Sequence, residues 1–282
     1  MIRFARVLQR HWDWRAACNF VFGGTGGALL ALAVALDGGR ASALMLVALA
    51  LVGAGLGCVW LEIGRPWRAL NVFLHPQKSW MTREAFVASA TFALAIAGLL
   101  LRSPALVVAA GLGGLAFLYC QARILQAARG VPAWRQREIV PLIVATGLAE
   151  GSGLAAAILA LAGGLSAWLG WLLLVCIVVR ALAWRQYRAA LKADDAPTPA
   201  LTLTARLEPL ALAVGTLAPA ALIVAAMVTG GTASALLTFA AGLFALLPGW
   251  AVKFALVTRA AHLQGYAFGK LQTGHPLART RS

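Results

Sequence analysis

Long apolar runs separated by short polar links dominate the chain. A run of about 20 apolar residues is the length at which a helix crosses a bilayer core. Eight such runs fall at roughly 16–36, 42–62, 84–101, 104–125, 140–162, 166–185, 207–229 and 233–257. The pattern predicts an all-α, polytopic integral membrane protein with eight transmembrane helices and no soluble domain. Pro104, Pro141 and Pro209 sit near helix starts, where a missing N–H costs little. Pro219 and Pro248 fall inside spans and are expected to kink them, with neighbouring groups taking up the freed backbone. The start, "MIRFARVLQRHW", places Arg3, Arg6 and Arg10 on one helical face and predicts a segment lying along the membrane surface before Trp12 and Trp14. The first apolar run is long enough to span, so it reads as an uncleaved first helix.

Eight spans put both termini on one side. One face then holds the N-terminus, residues 63–83, 126–139 and 186–206, and the C-terminus; the other holds residues 37–41, 102–103, 163–165 and 230–232. Of the 24 Lys and Arg residues, Arg40 and Arg102 belong to the second face and the remaining 22 lie on or near the first. Basic links stay inside, which makes the first face cytoplasmic and the inner membrane the location. One elaborate face opposite a bare one implies that something docks on the elaborate side.

Small residues four apart, in "GGTGG" at 23–27 and "GAGLG" at 53–57, predict close helix crossings. Span 5 carries "EGSG" at 150–153. Spans 1 and 5 thus each open a set of four with a small-residue stretch. This suggests a parallel duplication, with residues 1–139 and 140–282 as two four-helix bundles of one membrane domain.

Composition strengthens this picture. The chain is 61% hydrophobic and 12% charged, with a mean hydropathy of +0.83. A net charge of +15 in a soluble protein would point to nucleic acid, but here the basic residues occupy links between spans. Cys18, Cys58, Cys120 and Cys176 fall in apolar runs without metal-ligand spacing and read as small core residues. His11, His75, His262 and His275 lie in or near links, which argues against haem. The chain is expected to carry no metal, haem or iron–sulfur cluster of its own.

The richest link reads "EIGRPWRALNVFLHPQKSWMTRE". It resembles the segment after helix 2 in the membrane anchors of dimethyl sulfoxide reductase and polysulfide reductase, the DmsC/NrfD-like family. The stretches "ARILQAARGVPAW", "ATGLAEGSGL" and "FALVTRAAHLQGYAFG" are similar to the same family. The first stretch, "HWDWRAACNFVFGGTGG", looks closest to the membrane subunit of phenylacetyl-CoA:acceptor oxidoreductase. The resemblance implies a quinone-reactive anchor, using ubiquinone or menaquinone. It also implies two partners: a four-cluster iron–sulfur subunit and a molybdopterin catalytic subunit, from which electrons enter. It implies quinone ligands as well: an Asn in helix 1, a carboxylate before Gly-Arg-Pro and a Tyr in helix 4, which here are Asn19, Glu62 and Tyr119.

A quinone head needs an apolar slot, hydrogen bonds to two carbonyl oxygens and a route for protons. Asn19, Glu62 and Tyr119 are expected at one depth near the cytoplasmic face. Each has a plainer use. Asn19 could join helices through a hydrogen bond, Glu62 could pair with Arg65, and Tyr119 could belong to the interfacial aromatic belt. Arg65 orients Glu62 or holds the link on a partner. His75 is a solvated link residue or a proton relay. Glu150 lies deep in span 5, where a carboxylate is functional or paired, and it reads as part of a proton path, with core polarity as the alternative. Arg180, Lys253 and Glu208, near helix ends, are expected to snorkel. The leading reading is a quinone-reducing anchor. The alternatives are quinol oxidation for a terminal reductase, a secondary transporter with a midplane site, and a passive tether.

Overall fold

The computed structural model describes residues 7–9, 11–36, 38–63, 66–162, 167–194 and 196–263. Eight helical spans cross the membrane: Trp14–Ala33, Gly38–Trp60, Trp80–Leu101, Pro104–Ala127, Ile139–Leu161, Ala167–Ala193, Thr198–Val228 and Gly231–Thr258. We number them 1 to 8. Their starts follow local chemistry. Asp13 caps span 1 by accepting from Arg15 N at 2.8 Å, and Ser79 caps span 3 by accepting from Thr82 N at 3.3 Å. Pro104 opens span 4 at a position that has no helical acceptor to lose.

Spans 1 and 5 form the central pair. Span 1 packs on spans 2, 4 and 5, and span 5 packs on spans 6, 8 and 1. Two glycine crossings bring helix backbones close together. A Cβ on Gly27 of span 1 would lie 2.7 Å from the Gly114 carbonyl oxygen of span 4. A Cβ on Gly153 of span 5 would lie 2.7 Å from the Gly242 carbonyl oxygen of span 8. β1 (Val7–Leu8) pairs antiparallel with β2 (His262–Leu263), which brings these two segments together at one end of the bundle.

Two spans contain a wide π turn. In span 1 it covers Asn19–Gly23, and in span 7 Leu210–Leu217. Such turns loosen the hydrogen-bond ladder and free carbonyls for other partners. Gln121 Nε2 donates to Asn19 O at 2.8 Å and Lys253 Nζ to Phe20 O at 2.7 Å. In span 7, Pro219 has no N–H for the carbonyl four residues back, Gly215 O, and the Arg180 guanidinium donates to it instead. Arg180 Nη1 also donates to Ala245 O, one turn before Pro248, at 2.6 Å.

Several sequence expectations change. Span 6 continues to Ala193 and span 7 begins at Thr198, so the polar link expected over 186–206 shrinks to about the four residues between them. The cause is that a helix stops where its hydrogen-bond ladder stops, not where its apolar residues do. Pro209 therefore lies inside span 7, at the π turn, rather than at its start. Arg180 and Lys253 do not snorkel: they are 5% and 0% exposed and turn inward to carbonyl and carboxylate partners. Glu208 pairs with Arg188. Cys18 and Cys58 are half-buried, unlike the buried Cys120 and Cys176. Arg3, Arg6 and Arg10 lie outside the described residues. Between them, Val7–Leu8 is strand rather than surface helix, because a partner strand takes its backbone groups.

Candidate functional site

An apolar cavity of about 380 Å³ opens between spans 1, 2 and 3 at the end of the bundle where β1 pairs with β2. Its size suits a small-molecule head group. The short 3-10 helix Pro66–Leu74 contributes Leu70, Val72 and Phe73 to its wall. Phe20, Leu56 and Met81 make it greasy, and three polar side chains break that lining: Asn19, Glu62 and Glu84.

Asn19 is placed by the π turn and by missing side chains around it. A Cβ on Gly55 would lie 3.1 Å from Asn19 Oδ1, and one on Gly23 would lie 3.2 Å from the same atom. The two small-residue stretches therefore make room for an amide as well as for helix crossings. Asn19 is 5% exposed, its Nδ2 donates to Glu84 Oε1 at 3.2 Å, and its Oδ1 has no protein partner among the described residues. A buried acceptor without a donor is costly unless something else supplies one.

Glu84 did not stand out in the sequence, where it is the last charge of a charged link. In the structure it sits in the second turn of span 3. The stripe Glu84, Ala88, Thr91 and Ala95 is buried at helical spacing and faces the bundle. That spacing, counted from the Ser79 cap, was the available signal. Among the described residues Glu84 forms no ion pair.

Glu62 lies at the mouth, half-buried. Burial pushes its carboxyl above the usual range, and Asp13 adds to the rise, while Arg15 and His11 oppose it. Arg15 is already committed, to Asp13 at 2.8 Å and to Leu61 O at 3.1 Å.

Tyr119 and His75, also expected at the site, are not brought to this cavity. Tyr119 is 41% exposed. Span 4 turns Phe117, Gln121 and Ile124 inward, and Tyr119, two positions after Phe117, points about 200° away from it. Its hydroxyl accepts from Arg123 Nη1 at 2.8 Å, and its ring meets Trp80 edge-on at 5.9 Å. His75 is exposed in the link and does not line the cavity. Arg65 lies outside the described residues.

Glu150 belongs to a different cluster, deeper and closed. Its Oε2 is 2.5 Å from Lys253 Nζ and accepts from Thr25 Oγ1 at 2.8 Å; Trp250 Nε1 donates to that hydroxyl, also at 2.8 Å. Spans 1, 5 and 8 are joined at this point. Gly249 backs the carboxyl, and a Cβ there would lie 2.6 Å from Glu150 Oε1.

A family model described as DMSO reductase anchor subunit (DmsC) matches residues 28–253. The match includes Glu62, Glu84, Glu150 and Lys253, and begins after Asn19. Comparison with curated proteins gives no match.

Proposed function

The chain belongs to the DMSO reductase anchor subunit (DmsC) family, a membrane anchor of molybdoenzyme complexes, and from that premise we propose that its cavity exchanges electrons between an iron–sulfur partner and membrane quinone. The observation that carries the proposal is the cavity beside a buried amide oxygen with no partner, and a buried carboxyl with no cation, among the described residues. These features fit a quinone head: an apolar slot, amide and carboxyl groups for its oxygens, and a protonatable group within reach.

When bound there, quinone supplies two-electron, two-proton redox chemistry. The second Asn19 Nδ2 hydrogen and a protonated Glu84 carboxyl would donate to a quinone carbonyl, Asn19 Oδ1 would accept from a quinol hydroxyl, and Phe20, Leu56 and Met81 would exclude water from the ring. Glu84 gives or takes the proton at its carboxyl. Glu62 connects the cavity to solvent, since its raised affinity for a proton keeps it exchanging above the usual carboxylate range. Glu150 is read as core polarity: its charge is neutralised by Lys253, and it does not line the quinone-sized cavity. The matched glycine crossings of spans 1 with 4 and 5 with 8 support reading the chain as two four-helix halves.

The basic excess at the cavity end supports a cytoplasmic position for the partners and for both termini. The resemblance of residues 11–27 to the phenylacetyl-CoA enzyme's membrane subunit supports quinone reduction, with a coenzyme A thioester oxidised on the cytoplasmic side. The test is steady-state quinone kinetics of the assembled complex carrying Asn19→Ala or Glu84→Gln. Turnover with quinone should fall while electron delivery from substrate to the iron–sulfur partner persists. Wild-type quinone kinetics in both variants would refute the site.

A further inference from the structure

A second concavity, of about 1030 Å³, lies next to the cavity on the same end of the protein. The two share helix ends. Met81 and Glu84 of span 3 line the cavity, whereas Trp80 and the preceding Lys78 line the cleft; Ile124 of span 4 lines the cavity, whereas Arg123 lines the cleft. The far walls are the link between spans 4 and 5 and the end of span 6, at Ala190 and Asp194.

The cleft is basic. Five Lys and Arg side chains line it against two carboxylates. One of those carboxylates, Asp194, is taken by Arg135 at 2.9 Å and Gln136 at 2.8 Å. Arg123 lies over the Trp80 ring at 4.5 Å. Lys78, Arg129 and Arg137 are exposed and form no ion pair among the described residues. The walls are firm: in the link, Trp134 Nε1 donates to Leu256 O at 2.9 Å and its ring stacks on Trp12 at 4.9 Å.

Span 6 decides which kind of anion fits. Its apolar stretch ends near Arg185 and the helix runs on to Ala193. Those eight residues rise about 12 Å at 1.5 Å each, against roughly 5–8 Å for one headgroup layer, so the wall is long enough to reach past lipid phosphates. A head group could reach only the floor. A soluble protein can fill the whole depth.

We propose that this cleft seats an acidic segment of the soluble electron-carrying subunit and so holds that subunit against the wall it shares with the cavity. The proposal rests on the quinone reading for the identity of the partner, but its test is separate. Surplus positive charge around a cleft attracts and orients an acidic partner, with an effect that salt weakens.

The experiment uses the affinity-tagged chain and the soluble subunits that co-purify with it. Their affinity is measured across salt concentrations for the native chain and for Lys78→Glu/Arg129→Glu/Arg137→Glu. Native binding should weaken steeply with salt. The triple reversal should bind about tenfold more weakly or worse at low salt, with a flatter salt dependence. Each single reversal should weaken binding severalfold. The charge-conserving set Lys78→Arg/Arg129→Lys/Arg137→Lys should bind like the native chain, with thermal transitions showing that all variants are folded. Glu84→Gln should leave partner affinity unchanged, so a failed quinone site and a failed docking site give different results. Native affinity and salt slope in the triple reversal would overturn the proposal. So would loss of bound anionic phospholipid from that variant, by native mass spectrometry, with partner affinity unaltered.

Discussion

Glu84 and Glu150 are both buried carboxylates in membrane spans, 6% and 0% exposed, yet their surroundings differ in kind. Glu150 is held by an ammonium at 2.5 Å and a hydroxyl at 2.8 Å, and glycine backbone closes over it. Glu84 meets a neutral amide at 3.2 Å and borders open space. An intramembrane charge is expensive wherever it lies. What separates the two is how that cost is met. A cation at contact distance and a hydroxyl tie the first to spans 8 and 1. A cavity and an under-satisfied amide leave the second available to a ligand. A transporter site at the midplane would have needed the opposite arrangement, with Glu150 the open one.

The sharpest way to break the contrast is to remove the cation. Lys253→Met should strand Glu150 and destabilise the protein by about 3–5 kcal/mol, the range for breaking a buried pair. Adding Glu150→Gln should recover much of that loss. Thermal unfolding in detergent checks both. The matching change at the other carboxyl, Glu84→Gln, should leave thermal stability near the native value and lower quinone turnover on the order of 10²-fold, the contribution typical of a positioned acid or base.

Smaller changes sharpen the comparison further. Gly55→Ala puts a methyl 3.1 Å from Asn19 Oδ1. It should raise KM for quinone severalfold and also cost some stability, because the methyl would lie equally close to the span 1 backbone, 3.1 Å from Gly23 N and 3.2 Å from Asn19 Cα. Glu62→Gln should act through pH. The native carboxyl holds its proton above the usual range, so its contribution to stability is complete below that range and is lost as pH rises through the raised value. The Gln variant should lose that slope in unfolding, and the quinone rate should lose an inflection in the same window. Tyr119→Phe removes only the hydrogen bond with Arg123 and should leave quinone kinetics unchanged.

The eight spans were legible because an apolar run of spanning length has few other uses. Asn19 and Glu62 were legible as polar residues at one end of such runs. Glu84 was hidden by its neighbours: in a string of charges, nothing one-dimensional says that the chain has re-entered a helix and turned that residue inward. The ends of spans 6 and 7 were missed for a related reason, since Arg185, Arg188 and Lys192 continue the helix into water. Arg180 and Lys253 looked like snorkelling cations because sequence position gives depth but not direction. Their partners are carbonyls freed by a proline and a π turn, together with a carboxylate from another span. None of these is local in sequence. Tyr119 was placed by depth and by the resemblance, and helical phase turned it away from the cavity.

The most direct test is photolabelling of the assembled complex with an azido-quinone, followed by peptide mapping. The account predicts label on residues 53–63 and 81–85 around the cavity, competed away by unlabelled quinone and reduced by Asn19→Ala. Competable label around Glu150 and Lys253, with the cavity segments unlabelled, would contradict it.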